Sequence, residues 1–298
     1  MTTLAVMSDI HLEFDRALIA QARLGGDAEL SPPALRWWRH LMERDRVVGH
    51  PRLGPDLDAV RGADLLILAG DIDYGVDAVR YAAEAAAYCG CPAVLVPGNH
   101  EFYDAEMTRT LAAMRAASSG RVDLLDGDRM DFDLGGGRVA VLGATLWTDY
   151  RLHGGDEARV AMAMRNAEGG LNDHRVIRHG KGRFLPKDAL ALHWQARDWL
   201  ADSLPRARAE ADRVVVVTHH APTPAANPPR YADSRLSPAF ASDLEAEIAA
   251  WQPDLWISGH THFDHDRRIG RCRLVSRQRG YIGVEGAAPD FAPLMVTL

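Results

Sequence analysis

The sequence predicts a layered α/β protein, and three observations carry that reading. Short apolar runs rich in β-branched residues recur along the chain, helical stretches alternate with them, and most runs end in polar residues suited to chemistry. Residues 4–7 open the series as a strand leading into Ser8-Asp9-Ile10-His11. A second run over 65–69 leads into Gly70-Asp71-Ile72-Asp73, and the alanine-rich stretch 76–88 behind it reads as a helix ending near Gly90. Residues 93–96 form a third strand before Gly98-Asn99-His100-Glu101, with a helix over 105–117 after it. A strand over 139–142 is followed by a helix over 186–204. Residues 214–217 run into His219-His220, a helix spans 238–251, and 255–257 leads to Gly259-His260-Thr261-His262. A last strand covers 294–298. Ligands of α/β proteins collect at the carboxyl ends of strands, where these five polar clusters lie.

Two segments fit the alternation poorly. Residues 16–60 hold a polar stretch and a helix candidate containing Trp37 and Trp38; residues 148–190 are rich in Gly, Asp, Arg and His. Both read as cap-like insertions within a single domain spanning 1–298. Adjacent side chains on a helix point different ways, so burial of one of the two tryptophans is the ordinary expectation. At 47% hydrophobic and 25% charged residues the composition is that of a globular protein. A net charge of −7 with no long basic run argues against nucleic acid as a partner. Cys89, Cys91 and Cys272 lack the second pair of a thiolate zinc site and read as inert thiols. No signal-peptide pattern precedes Asp9 and no run is long enough to span a membrane, so a cytoplasmic location is expected.

The clusters supply imidazoles, carboxylates and an amide without thiolate, a donor set suited to borderline divalent metals. In Asp9-Ile10-His11 and His260-Thr261-His262 the alternate spacing puts both side chains on one side of an extended segment. The glycines before Asp71, Asn99 and His260 are expected to allow sharp turns. The order D-x-H, G-D, G-N-H-E, H and G-H-x-H resembles the signature of the calcineurin-like metallophosphoesterase family. The likeness covers residues 4–15, 65–103, 139–147 and 214–298, and the segment 259–283, including Arg279-Gly280-Tyr281, looks like a subgroup of bacterial members.

The resemblance implies two packed central sheets flanked by helices, with the metal site at the strand ends. It implies two divalent or mixed-valence ions, with manganese, iron or zinc foremost. Asp9, His11 and His262 would bind the first; Asn99, His219 and His260 the second; Asp71 would bridge them. His219 is taken over its neighbour His220 as the first residue past the strand. A hydroxide between the metals would attack phosphorus. The resemblance places His100 beside the metals, where it would protonate the leaving oxygen. Two dications set against Asp9, Asp71 and hydroxide leave a single positive charge, suited to an anionic phosphoester. A small-molecule phosphodiester is preferred over a monoester as substrate, on the family likeness alone.

Other residues carry lesser expectations. Asp73 and Glu101 are expected to orient ligands. His220 is expected near substrate or behind the ligands, and His265 and Asp266 at the surface. The donor-rich stretch Asn172-Asp173-His174-Arg175, with Arg178, His179, Lys181 and Arg183, reads as a solvated loop or as a phosphate contact through Arg175 and Arg178. The alternative function is a non-catalytic scaffold of the same fold; intact ligand positions and His100 weigh against it.

Overall fold

A computed structural model describes residues 1–25, 53–282 and 291–298. Trp37 and Trp38 lie outside the described residues. In chain order the elements begin with β1 (Thr3–Met7), α1 (Leu12–Gly25), β2 (Leu65–Ala69), α2 (Val76–Cys89) and β3 (Ala93–Val96). They continue with α3 (Met107–Ala117), β4 (Val122–Leu124), β5 (Asp128–Leu134), β6 (Gly137–Ala144), α4 (Glu157–Gly170) and α5 (Asp173–Val176). A short hairpin, β7 (Arg178–His179) and β8 (Gly182–Arg183), precedes α6 (Pro186–Glu210) and β9 (Arg213–Thr218). The last elements are α7 (Glu245–Trp251), β10 (Leu255–Ile257), β11 (His265–Ile269), β12 (Cys272–Ser276) and β13 (Leu294–Thr297).

Two sheets face each other. One has the order β13-β1-β2-β3-β4, the other β11-β12-β10-β9-β6-β5. Their central strands pair in parallel, and β13, β11 and β5 add antiparallel edges. Alternate residues of each strand go to opposite faces. Leu4, Val6, Leu65 and Ile67 meet Val139, Val141, Val215 and Val217 between the sheets. The other face of the first sheet, with Leu66 and Leu68, packs on Ala78, Ala82 and Ala85 of α2. The other face of the second, with Val214, Val216 and Trp256, packs on Leu200 and Leu204 of α6 and Ile248 of α7. Strands covered on both faces read as unbroken apolar runs, which is why the sequence betrayed them.

The segment expected to be a helix over 238–251 is divided. Ser237–Ala239 forms a 3-10 turn, and the extended backbone after it pairs with Ala221, which donates to Phe240 O at 3.4 Å and accepts from Ser242 N–H at 3.0 Å. Those bonds take the groups a helix would use, so α7 begins only at Glu245. In the other direction, α6 runs through Pro205 to Glu210. The segments that fit the alternation poorly hold structure of their own: α1 begins before residue 16, and α4, α5 and the β7–β8 hairpin lie within 148–190. No helix among the described residues is long and apolar enough to cross a membrane.

Candidate metal centre and cavity

Strand register brings the five clusters together. Met7 lies opposite Leu68 and Ala69 opposite Val96, so Asp9, Asp71 and Asn99 emerge side by side just beyond level strand ends. In the second sheet Val217 lies opposite Ile257, so His219 and His260 leave neighbouring strands at the same end. Backbone bonds tie these loops: Asp9 N–H donates to Gly70 O and His11 N–H to Asp71 O, both at 3.0 Å. The Asp9 carboxylate accepts the His260 N–H at 3.0 Å. Glu101 accepts the N–H groups of Asp71 at 3.0 Å, Ile72 at 2.8 Å and Gly98 at 2.6 Å. That carboxylate holds two ligand loops as one unit.

The loops are strained where the ligands sit. Asp9, His11, Asp71, His260 and His262 have φ of 51°, 53°, 53°, 72° and 50°. The left-handed region costs a residue with a Cβ about 1–2 kcal/mol, and strain of this kind persists where the surroundings over-determine it. The expected turn role of the preceding glycines holds for Gly70 alone, with φ of 85°. Gly98 and Gly259 are there for space. A Cβ on Gly98 would lie 2.2 Å from Asp71 Oδ1, and one on Gly259 2.6 Å from Asp9 Oδ2.

The donor atoms converge in two groups. In the first, His11 Nε2 is 3.1 Å from His262 Nε2 and 3.8 Å from Asp71 Oδ2, and His262 Nε2 is 3.4 Å from Asp9 Oδ1. In the second, His219 Nε2 is 3.0 Å from Asn99 Oδ1, 3.1 Å from His260 Nδ1 and 3.4 Å from Asp71 Oδ1. Ligands about 2.0–2.2 Å from one ion in octahedral or tetrahedral array are about 3.0–3.5 Å apart. The separations fit that spacing except His11 to Asp71, which is slightly longer at 3.8 Å, and Asp71 turns one oxygen to each group. His219 Nδ1 donates to Ala69 O at 3.0 Å, which aims Nε2 at three acceptors. Asn99 Nδ2 donates to Asp173 Oδ1 at 2.9 Å and to the Tyr103 hydroxyl at 3.2 Å, which aims its oxygen the same way. Acceptors facing acceptors call for a cation between them.

The titration behaviour agrees. Burial disfavours charge on Asp71, yet His219 and His100 hold its carboxyl well below the usual carboxylate range. Burial also opposes charge on His219, but Asp71 reverses this and pushes the imidazole up to about 9. Buried oxygens here attract positive charge, whether proton or metal ion. His11 and His260 are pulled down, chiefly by burial and then by neighbouring imidazoles, and stay neutral as metal ligands must.

Glu13, which the sequence reading passed over, joins two functional histidines. Its Oε1 lies 3.0 Å from His11 Nδ1 and 2.9 Å from His100 Nδ1. Against the effect of burial, those hydrogen bonds bring its carboxyl down to about 2. A carboxylate accepting from both Nδ1 atoms puts the remaining ring nitrogens on the side of the site. His100 Nε2 is 3.2 Å from the Tyr281 hydroxyl, and its ring stacks on Tyr103 at 4.1 Å. Burial opposes charge on His100, but Asp71 and Glu13 outweigh it and raise its pKa. Arg279 pairs with buried Asp15 of α1 at 2.6 Å and 3.1 Å, while Gly280 N–H donates to Asp9 O at 3.1 Å. The Asp-x-His-x-Glu spacing and the Arg279-Gly280-Tyr281 run were the available signals.

A cavity of about 400 Å³ opens beside Asp71, Asn99, His100, His260 and His262. The residues expected near substrate are not on its lining, and His220 takes the other place expected of it, behind the ligands. His220 does not line it: the ring is buried, Nδ1 donates to Thr145 O at 3.2 Å, and one face packs on His260 at 4.1 Å. Arg175 and Arg178 are exposed and off its wall, with Arg175 donating to Gly169 O. The arginine on the wall is Arg230. Asp73 orients none of the metal-site ligands; it pairs with Arg16 and accepts the Tyr74 N–H at 2.6 Å, so it anchors α1. Asp266 is exposed and paired with Arg273 at 2.7 Å. His265 is only half-exposed, its Nδ1 2.9 Å from Ser276 Oγ across the β11–β12 pair.

The family model of the calcineurin-like phosphoesterases matches residues 2–264. The chain belongs to that family. Its membership assigns this phosphoesterase to the hydrolases of phosphoesters, and the His and Asp clusters fit the metal binding that goes with it. Among solved structures it is similar to phosphopantetheinyl hydrolase from Mycobacterium tuberculosis, with TM-score 0.57 and 17% identity over 94% of this chain and 90% of that one. It is also similar to a candidate 5′-nucleotidase from Staphylococcus aureus, with TM-score 0.48 and 16% identity over 95% of this chain and 49% of that one. The first likeness speaks for the two-sheet fold. No curated protein matches the sequence.

Proposed function

We propose that the chain hydrolyses small phosphoesters, diesters in preference to monoesters, at a dinuclear metal centre. Asp9, His11 and His262 would hold one ion and Asn99, His219 and His260 the other, with Asp71 offering one oxygen to each. The convergence of the two donor groups at ligand-edge spacings is the observation that supports this most. Bound ions supply positive charge to the phosphoryl oxygens and bring a water towards neutral acidity. Manganese, iron and zinc all suit the donor set.

The chain's own residues do the rest. His100 holds a proton on Nε2, beside the cavity, for the departing oxygen. Glu13 keeps the Nδ1 proton in place and sustains the imidazolium. Asp173 and Tyr103 hold the Asn99 amide in its ligating orientation. Two divalent ions against Asp9, Asp71 and a hydroxide nucleophile leave one positive charge, which matches a diester anion. A cavity of about 400 Å³ suits a small molecule.

Elemental analysis of the purified protein, followed by turnover of bis(p-nitrophenyl) phosphate and p-nitrophenyl phosphate, tests the proposal. Two ions per chain and metal-dependent hydrolysis, faster for the diester, are expected. Silence with manganese, iron, zinc, cobalt and nickel refutes hydrolysis. At matched metal occupancy Asp71→Asn loses more activity than His100→Asn; wild-type turnover by Asp71→Asn would rule out the bridging role.

A further inference from the structure

The cavity has further lining beyond the ligand groups. Residues 170–173 and the loop over 227–237 complete its lining beside the ligand groups, with Asp173 in contact with Asn99. The two segments pack closely: a Cβ on Gly170 would lie 2.8 Å from the Leu236 side chain. The loop is braced from within, Tyr231 N–H donating to Pro228 O at 2.8 Å and Ser237 Oγ to Tyr231 O at 2.5 Å.

Its hydrogen-bonding capacity is unbalanced. Asn227 Nδ2 is buried on this lining and has no acceptor among the described residues. Arg230 stacks over the Tyr231 ring at 4.8 Å and has no carboxylate partner among the described residues. Asp173 on the same lining accepts from Asn99 and from the Tyr103 hydroxyl, both at Oδ1. The Asn227 amide and the Arg230 guanidinium therefore hold donor capacity that no bond among the described residues takes up. A planar guanidinium beside an amide N–H suits the paired oxygens of a carboxylate or phosphate. Leu236 and Phe240 line the same cavity and offer apolar surface to a short carbon chain.

We infer that the substrate is a small phosphoester whose organic part carries a second anionic group, a carboxylate or phosphate, held by Arg230 and Asn227. The inference rests on the phosphoester hydrolase reading above. The scissile phosphorus lies beside the ligand groups and the second anion beside Arg230 and Asn227.

The test compares butyl phosphate, 4-carboxybutyl phosphate and butane-1,4-diyl bisphosphate with the manganese-loaded protein. The companion series is the methyl diesters of the same alcohols. The expected result is a kcat/KM at least about tenfold higher for one or both anionic esters than for the neutral-tailed one, the two arms telling carboxylate from phosphate. In Arg230→Gln that ratio falls to near one, in Asn227→Ala it falls in part, and Arg230→Lys restores part of it. Arg235→Gln, on the same loop outside the cavity, keeps the wild-type ratio. Equal kcat/KM for anionic and neutral tails, or a preference that survives Arg230→Gln, overturns the inference. Calorimetric binding of the same compounds separates this from failure of the hydrolase reading. If no ester turns over, tighter binding of the bisphosphate than of butyl phosphate, lost in Arg230→Gln, still supports the site at Arg230 and Asn227, and equal binding overturns it.

Discussion

Replacing Gly98 by alanine adds one methyl group and should disable the enzyme. The backbone there is ordinary, so the effect is purely steric. The new Cβ would stand 2.2 Å from Asp71 Oδ1, 2.6 Å from Asp71 N and 2.8 Å from His219 Cε1. A carbon and an oxygen settle no closer than about 3.3 Å. The carboxylate must therefore retreat by about 1 Å, and two of its neighbours are fixed: Glu101 grips the Asp71 amide and Ala69 grips His219. A displacement of about 1 Å at reacting groups is enough to lose about 100-fold in rate. The accompanying overpacking costs about 1–3 kcal/mol of stability. The assay is kcat/KM on a chromogenic phosphodiester at saturating manganese, with the metal dissociation constant and melting temperature measured beside it. Gly98→Ala with wild-type metal affinity and turnover would falsify the claim that Asp71 and His219 are locked at the metal centre.

Three further perturbations follow from the same structure. Glu13→Gln should weaken metal binding about 10–100-fold, as loss of a carboxylate behind a histidine ligand does. At saturating metal its residual kcat should fall most steeply for esters with basic leaving groups, because His100 loses its anion; a uniform loss across leaving groups would argue for a role through His11 only. Arg279→Met leaves Asp15 charged and buried, with side-chain exposure of 2% and 0% in the intact pair, and should cost about 3–5 kcal/mol in chemical denaturation. A loss below about 1 kcal/mol would mean that water reaches the pair. Burial pushes the Cys89 thiol up to about 11 and the Cys272 thiol up to about 12. Ellman's reagent at about pH 8 should label no thiol of the native protein and all three in guanidinium; fast native labelling of Cys89 or Cys272 would contradict their enclosure.

What the sequence disclosed, and what it hid, follows from burial. β2, β3 and β10 match the apolar runs over 65–69, 93–96 and 255–257 because both their faces are covered. β5 and β11 escaped notice because they are half-exposed edges carrying Asp, Arg and His, with no run to see. The helix expected over 186–204 stopped at Pro205, which α6 in fact absorbs. The candidate ligands were visible because glycine-flanked Asp, Asn and His at strand ends form short local patterns. The roles of Glu13 and Tyr281 toward His100 were not, since in both cases the partner lies far off in sequence: Glu13 reaches His100 across the fold, and Tyr281 meets it from the other end of the chain. Arg230 lay outside the region marked by its density of charge, in a loop whose position depends on Leu236 meeting Gly170. Contacts of that kind are set by tertiary packing, which no local pattern records.

The left-handed backbone at Asp9, His11, Asp71, His260 and His262 has an evolutionary corollary. As long as an ion rewards those side chains, selection keeps five conformationally uncomfortable residues in place. Once a descendant stops using metal, each becomes a liability that a single change to glycine relieves. Decay of such a centre should therefore leave a signature of glycines at the old ligand positions, with Glu101 and the strand ends unchanged. A lineage that has abandoned the chemistry could be recognised by that pattern before any assay is run.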